Sequence, residues 1–286
     1  MKNDLLLVVW FGLAVSAGAE EATKKASTES GVVTLGDIDW GALNPARGEK
    51  GPRAGNLWND RTKQAASGFL VKFADGFSSP PHIHNVTYRG VVISGQVHND
   101  DPEAAEMWMP PGSFWTQPAG EVHITAAKGK NVLAYIEIDS GPYLVLPKEK
   151  AEDLGERPVN LAPSNIVWLS ASETTWIESP SDQTAAASPE MAFLWGKPGN
   201  ETVSGSFVRL PTGFKGEIIP EGGTMHVVIV KGALTIGEAE KNTAKTLKPG
   251  EYSRLETGKT QQIDCADEHG CVVYVRALGK YRIKKP

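Results

Sequence analysis

His82 and His84 stand two apart in the stretch Gly76-Phe-Ser-Ser-Pro-Pro-His-Ile-His-Asn-Val-Thr-Tyr-Arg-Gly-Val-Val-Ile-Ser-Gly95. The segment is bounded by prolines and runs into β-branched residues, so it reads as extended. Alternate side chains of a strand share a face, and both imidazoles then point the same way. A third histidine follows in Gly112-Ser-Phe-Trp-Thr-Gln-Pro118-Ala-Gly120-Glu-Val-His123. Three imidazoles converging inside a β-barrel hold one divalent metal ion, here iron, manganese, zinc or nickel.

The elements that must position them are short strands. Gly 30 and Pro 19 in 286 residues imply many turns, as in an all-β protein. Strands are expected at Gly68–Phe73, Arg89–Val97, Ser113–Gln117 and Asn131–Asp139, and again at Ser204–Leu210, His226–Ile236, Tyr252–Glu256 and Cys271–Ala277. A net charge of -5 without a basic stripe excludes nucleic acid as an expected partner. No Ser-His-Asp set, phosphate-cradling loop or paired-carboxylate glycosidase signature is visible.

The chain repeats itself at an offset of 137 (194 − 57). Leu57-Trp58 recurs as Leu194-Trp195, Ser67-Gly68 as Ser204-Gly205, Gly76-Phe77 as Gly213-Phe214 and Gly95 as Gly232. One residue further in offset, Pro111-Gly112 recurs as Pro249-Gly250. Glycines and an aromatic held in register mark the same turns in two copies of one fold. The first copy is assigned to 32–141, a charged linker to 142–164 and the second copy to 165–286.

The two histidine stretches resemble the motifs of the cupin superfamily, whose double-stranded β-helix is a small jelly-roll barrel. Gly76, His82-Ile83-His84, Tyr88 and Gly95 fit the spacing of its first motif. Gly112, Pro118-Ala119-Gly120 and His123 fit the second, with Ala127 where Asn is usual. The resemblance implies two tandem cupin barrels of a bicupin family without an assigned function. It also makes three satisfied, metal-free core histidines the poorer account of these residues.

Tyr88 replaces the motif's acidic ligand, which leaves a three-His site as in some cupin dioxygenases. The phenol either ligates, donates a hydrogen bond to a metal-bound group, or packs one wall; a pKa of about 10 argues against ligation. Glu121 shares strand parity with His123 and is either a substitute ligand or base, or a solvated rim carboxylate. Tyr88 and Glu121 are therefore the candidate proton-handling residues. The implied activity is metal-dependent chemistry on a small oxygenated molecule, dioxygenase-like or a lyase or isomerase reaction; a ligand-binding or sensor module and a purely structural protein are the alternatives. The resemblance also suggests a homodimer.

The second copy has lost the site: Ile219, Glu221, Met225 and Gln261 stand where His82, His84, Tyr88 and His123 stand in the first. His226 aligns with Arg89 and should face away from the barrel interior. Trp58, Phe77, Trp108, Phe114 and Trp115 cluster near the first site as core, interface or pocket lining. His98 follows Gly95 in a polar stretch and is expected to face solvent.

Residues 1–19 combine an apolar run with Ala17-Gly18-Ala19 and read as a secretory signal peptide cleaved after Ala19, with 20–31 a polar disordered tail. The mature chain is expected to be secreted or periplasmic and free of the membrane. Cys265 and Cys271 are the only cysteines and are expected to form a disulfide across a hairpin, as an oxidising compartment allows.

Overall fold

The computed structural model describes residues 31–178, 188–199, 201–238 and 243–285. The expected signal peptide and nearly all of the expected tail lie outside them. Among the described residues the regular structure is β-strand, with 3-10 turns at Pro45–Lys50, Lys148–Lys150 and Pro163–Asn165. No helix among these residues is long and apolar enough to cross a membrane.

The first half builds one barrel around a seven-stranded sheet. Its spatial order is Val159–Leu161, Phe114–Gln117, Tyr88–Asp100, Ile124–Ile138, Ser67–Phe73, Arg53–Trp58 and Gly41–Ala42. Tyr88–Asp100 and Ile124–Ile138 are long enough to bend from one wall to the other, with register shifts between Val92 and Gln96. Gly95 sits at that bend with φ 72, and a Cβ there would meet Val132 Cγ2 at 2.6 Å. Only glycine takes this conformation without strain, which explains why it recurs as Gly232 with φ 76. The far wall is closed by His82–His84 pairing with Val145–Pro147.

The second half forms a barrel from a six-stranded and a five-stranded sheet. Strand pairing crosses between the copies. Val32–Val33 joins the second barrel beside Tyr252–Ser253, and Val159–Leu161 joins the first beside Phe114–Thr116. Cys265 and Cys271 are disulfide-bonded. They do not face each other across a hairpin, because Gln261–Cys265 and Cys271–Leu278 belong to different sheets. A turn, with Gly270 N–H donating to the Asp267 carbonyl at 3.0 Å, redirects the chain from one sheet to the other, and the disulfide closes that turn.

Three apolar cores result: one inside each barrel and a third, shared, between them. Strand alternation decides which side chain joins which. On Ile124–Ile138, Ala134, Ile136 and Ile138 point into the first barrel, whereas Tyr135 and Glu137 point at the second copy. The repeated Trp and Ser-Gly pairs frame this interface. Trp58 Nε1 donates to Tyr135 Oη at 3.1 Å, and Trp195 Nε1 donates to Tyr274 Oη at 2.7 Å. Each indole lies flat on a glycine: a Cβ on Gly68 or Gly205 would come within 2.0 or 1.8 Å of its Nε1.

The centre of the interface is a polar network. Glu137, fully buried, accepts from Tyr135 (3.0 Å), Tyr274 (2.7 Å) and Arg276 (3.3 Å). Arg276 also pairs with Asp139 at 2.7 Å, and Asp139 with Arg89 at 2.8 Å. Arg89 stacks on Trp195, and His226 stacks on Trp58 with centroids 4.1 Å apart, both facing away from the barrel interiors.

Candidate metal centre

Pro80 and Pro81 offer no backbone donors, so the chain enters His82–His84 extended. His82 and His123 exchange both backbone hydrogen bonds, 3.0 Å each way, which places them directly opposite on adjacent segments. His84, two residues on, shares their face. Ring centroids are 4.3 Å apart for His82 and His123, 5.0 Å for His82 and His84, and 5.2 Å for His84 and His123. All three are buried, and ring nitrogens of the three lie within 4.8 Å of one another.

The backbone chooses the tautomers. Nδ1 of His82 lies 3.0 Å from the Pro80 carbonyl, Nδ1 of His84 2.9 Å from that of Leu144, and Nδ1 of His123 3.1 Å from that of Glu121. Each Nδ1 therefore carries a proton and donates it, and each Nε2 keeps its lone pair. Fixing the outer nitrogen of every ring in this way is the arrangement that supports a metal-binding imidazole. Burial disfavours the charged form of all three rings. It pulls His123 down to about 3 and His84 well below the usual histidine range; it also lowers His82, with the positive charge of Arg47 adding to the effect. The set thus presents three neutral nitrogen donors, which fits a borderline divalent ion.

Tyr88 lies at the base of the site. Its hydroxyl donates to Asn99 Oδ1 at 2.8 Å and stands 3.4 Å from His123 Nε2. Burial raises its pKa, so it is a neutral phenol. Asn99 is held by Thr125 Oγ1 (2.8 Å) and by Gln117 Oε1 (2.9 Å), giving a buried polar chain behind the phenol. Glu121 is placed differently. Its carboxylate is not among the groups lining the cavity, and the charges around it are Arg157, Asp153, Asp101 and Asp100. Its backbone carbonyl, not its side chain, reaches His123.

Sequence reasoning missed Tyr143. Its ring stacks on His84 at 4.4 Å, and its hydroxyl donates to His84 Nε2 at 3.2 Å. It follows Pro142 in the linker, and only the return of that segment against His82–His84 brings it to the site. Asn99, Gln117 and Thr125 were equally invisible, although strand parity places Thr125 two residues from His123.

A cavity of about 50 Å³, open to solvent on one side, lies beside His82 and His84. Of the clustered aromatics, Phe77 and Trp115 line it, while Trp58 and Phe114 belong to the core between the copies. Trp108 bonds Glu106 and lies 5.9 Å from His98. His98 is buried, not solvent-facing, because its strand runs on to Asp100 and turns the ring onto the Met107 backbone. In the second barrel Met225 is fully buried in a packed core with Trp176 and Ile177, Gln261 bonds Ser253, and Glu221 pairs with Arg282. Among the described residues only His82, His84 and His123 form a metal-competent cluster.

A family model described as "Domain of unknown function (DUF4437)" matches residues 31–284. No curated protein matches the chain. Among solved structures it is similar to oxalate decarboxylase of Lactobacillus farciminis, at 9% identity and TM-score 0.56 over 87% of each chain. It is also similar to salicylate 1,2-dioxygenase of Pseudoaminobacter salicylatoxidans, at 13% identity and TM-score 0.53, over 85% of this chain and 81% of that one. Tomato vicilin matches at 10% identity and TM-score 0.55, over 88% of this chain and 87% of its own. These are cupins, and at such identities the likeness is one of fold: two tandem cupin barrels.

Proposed function

We propose, for a chain that belongs to the DUF4437 family and folds as a bicupin, that His82, His84 and His123 bind one divalent metal ion and that the adjoining cavity presents a small oxygenated organic substrate to it. The observation that carries this reading is the common tautomer. Three Nδ1–H groups are spent on backbone carbonyls, so all three Nε2 atoms present lone pairs inside one buried pocket, that of His84 to the exchangeable hydroxyl of Tyr143. Burying three unprotonated imidazoles this close together serves no packing purpose that apolar side chains would not serve better.

A bound divalent ion supplies Lewis acidity toward a substrate oxygen, and a redox-active one supplies electrons to oxygen chemistry. The protein supplies the rest. Tyr88 and Tyr143 hold protons at their phenolic oxygens beside His123 Nε2 and His84 Nε2, where a substrate oxygen would need donors. Asn99 orients Tyr88. Phe77, Trp115 and the aliphatic wall exclude water. Glu121, on the rim, keeps a role only in relaying protons outward. Dioxygenase-like oxidoreduction is the reaction class favoured by a neutral three-His set, which leaves the ion's charge and several coordination positions for substrate and oxygen. The disulfide supports export to an oxidising compartment, in line with the leader-like residues 1–19.

Metal analysis tests the site. The purified protein should carry about one divalent ion per chain, and His82→Ala and His123→Ala should lose most of it. Wild-type metal content in both variants would overturn the assignment. Oxygen consumption by the iron-loaded protein on a panel of diketones, enols and carboxylates tests the reaction class. Metal occupancy and ligand binding without turnover would instead make it a binding module.

A further inference from the structure

Among the described residues, the cavity beside the imidazoles is lined by one fixed charge, and it is not an acid. Its walls are apolar, formed by Leu43, Val71, Phe73, Phe77 and Ile136. Among the described residues no Asp or Glu lines it, and both tyrosines are neutral. Arg47 lines the same space as His82 and His84, presented by the 3-10 turn Pro45–Lys50. Among the described residues it makes no ion pair, whereas Arg89 holds Asp139 and Arg157 holds Asp153, and Arg61, also without an ion pair, is hydrogen-bonded to Asn56. A half-buried guanidinium that lines an apolar cavity and has no ion-pair partner among the described residues is available to a ligand's anionic group.

We infer that Arg47 is the substrate anchor, and that the ligand is a small organic carboxylate with an apolar body. The carboxylate lies on the guanidinium, which matches its planar, two-oxygen geometry. The body fills the apolar wall, and the far, oxygenated end faces the imidazoles and the two tyrosines. Charge points the same way. A dication on three neutral ligands with an arginine beside it leaves the pocket strongly positive, which favours an anion over a neutral molecule. This inference rests on the metal reading for its far end but on Arg47 alone for its charge selectivity.

The test uses matched probes: benzoate and phenylacetate against benzamide and phenylacetamide. Binding to the full, zinc-loaded chain is followed by calorimetry and by the fluorescence of Trp115 and its neighbours, with zinc content measured in every sample. The acids should bind at least tenfold more tightly than their amides. Arg47→Gln should lose about tenfold to a hundredfold in affinity for the acids and none for the amides, and Arg47→Lys should keep part of the preference. Zinc content and thermal midpoint should stay at wild-type values in both variants. Equal binding of acid and amide, no binding of any probe, or an Arg47→Gln variant that still prefers the acid would overturn the inference. Acid preference in a chain that takes up no zinc would overturn the metal reading and leave Arg47 in place.

Discussion

Glu137 is the group on which the two barrels meet, and its replacement by glutamine has a calculable cost. The carboxylate accepts three hydrogen bonds, from Tyr135, Tyr274 and Arg276, and is inaccessible to water. Arg276 is itself 8% exposed. Glu137→Gln keeps the shape, removes the charge facing Arg276 and puts an N–H donor against hydroxyls that now donate. Breaking one side of a buried pair costs about 3–5 kcal/mol. Arg276 retains Asp139 at 2.7 Å, so the lower end applies, about 3 kcal/mol. For a chain of this size that lowers the melting temperature by about 6–12 °C. Calorimetry with guanidinium unfolding measures it, and a cycle with Arg276→Met separates pair from packing. Arg276→Met alone should also be costly, because it strands the Glu137 charge. The double variant should lose at least about 2 kcal/mol less than the sum of the singles. A loss below about 1 kcal/mol for Glu137→Gln, or an additive cycle, would refute the view that this network locks the barrels together.

Two further expectations follow from the interface. Gly68→Ala would drive a Cβ to 2.0 Å from Trp58 Nε1, displacing the indole from Tyr135 and His226, so about 1–3 kcal/mol of stability should be lost. Gly41→Ala, where a Cβ meets nothing within 4 Å, is the control and should be near neutral by chemical denaturation. His226 is pulled down to about 3 by burial first, then by the nearby charges of Arg276 and Arg254. Its folded pKa lies below its unfolded value of about 6.5, so its neutral form contributes stability above that pH. That contribution is lost as pH falls from about 6.5 toward 3, at up to about 1.4 kcal/mol per pH unit. His226→Phe keeps the stack on Trp58 and removes the titration; it should lose about 2 kcal/mol less than wild type between pH 7 and 5 in urea unfolding. Equal pH slopes in the two proteins would show that His226 does not titrate on unfolding.

The repeat, the all-β character, the disulfide partners and the three imidazoles were all legible in the linear chain, because each rests on local spacing. Alternation within His82–His84 puts two rings on one face whatever the rest does. The glycine at the bend recurs because only glycine takes that φ, and the Trp and Ser-Gly pairs recur because an indole lies on a residue without a side chain. What spacing does not carry is which distant segments return to the site. Tyr143 reaches His84 from a linker 59 residues away, Arg47 reaches the cavity from a turn before the first long strand, and Asn99 reaches Tyr88 along the same bent strand. Glu121 had the parity of a ligand, yet its side chain is not among the groups lining the cavity, because parity names a face and not which neighbours fill it. The His98 ring was taken inward by the continuation of its strand. Local sequence decided which residues can bind an ion. The carbonyls that set the tautomers of His82 and His123 lie two residues away, at Pro80 and Glu121, whereas the tertiary structure decided that of His84, through Leu144, and what stands around the three rings: neutral phenols, an apolar wall and an arginine.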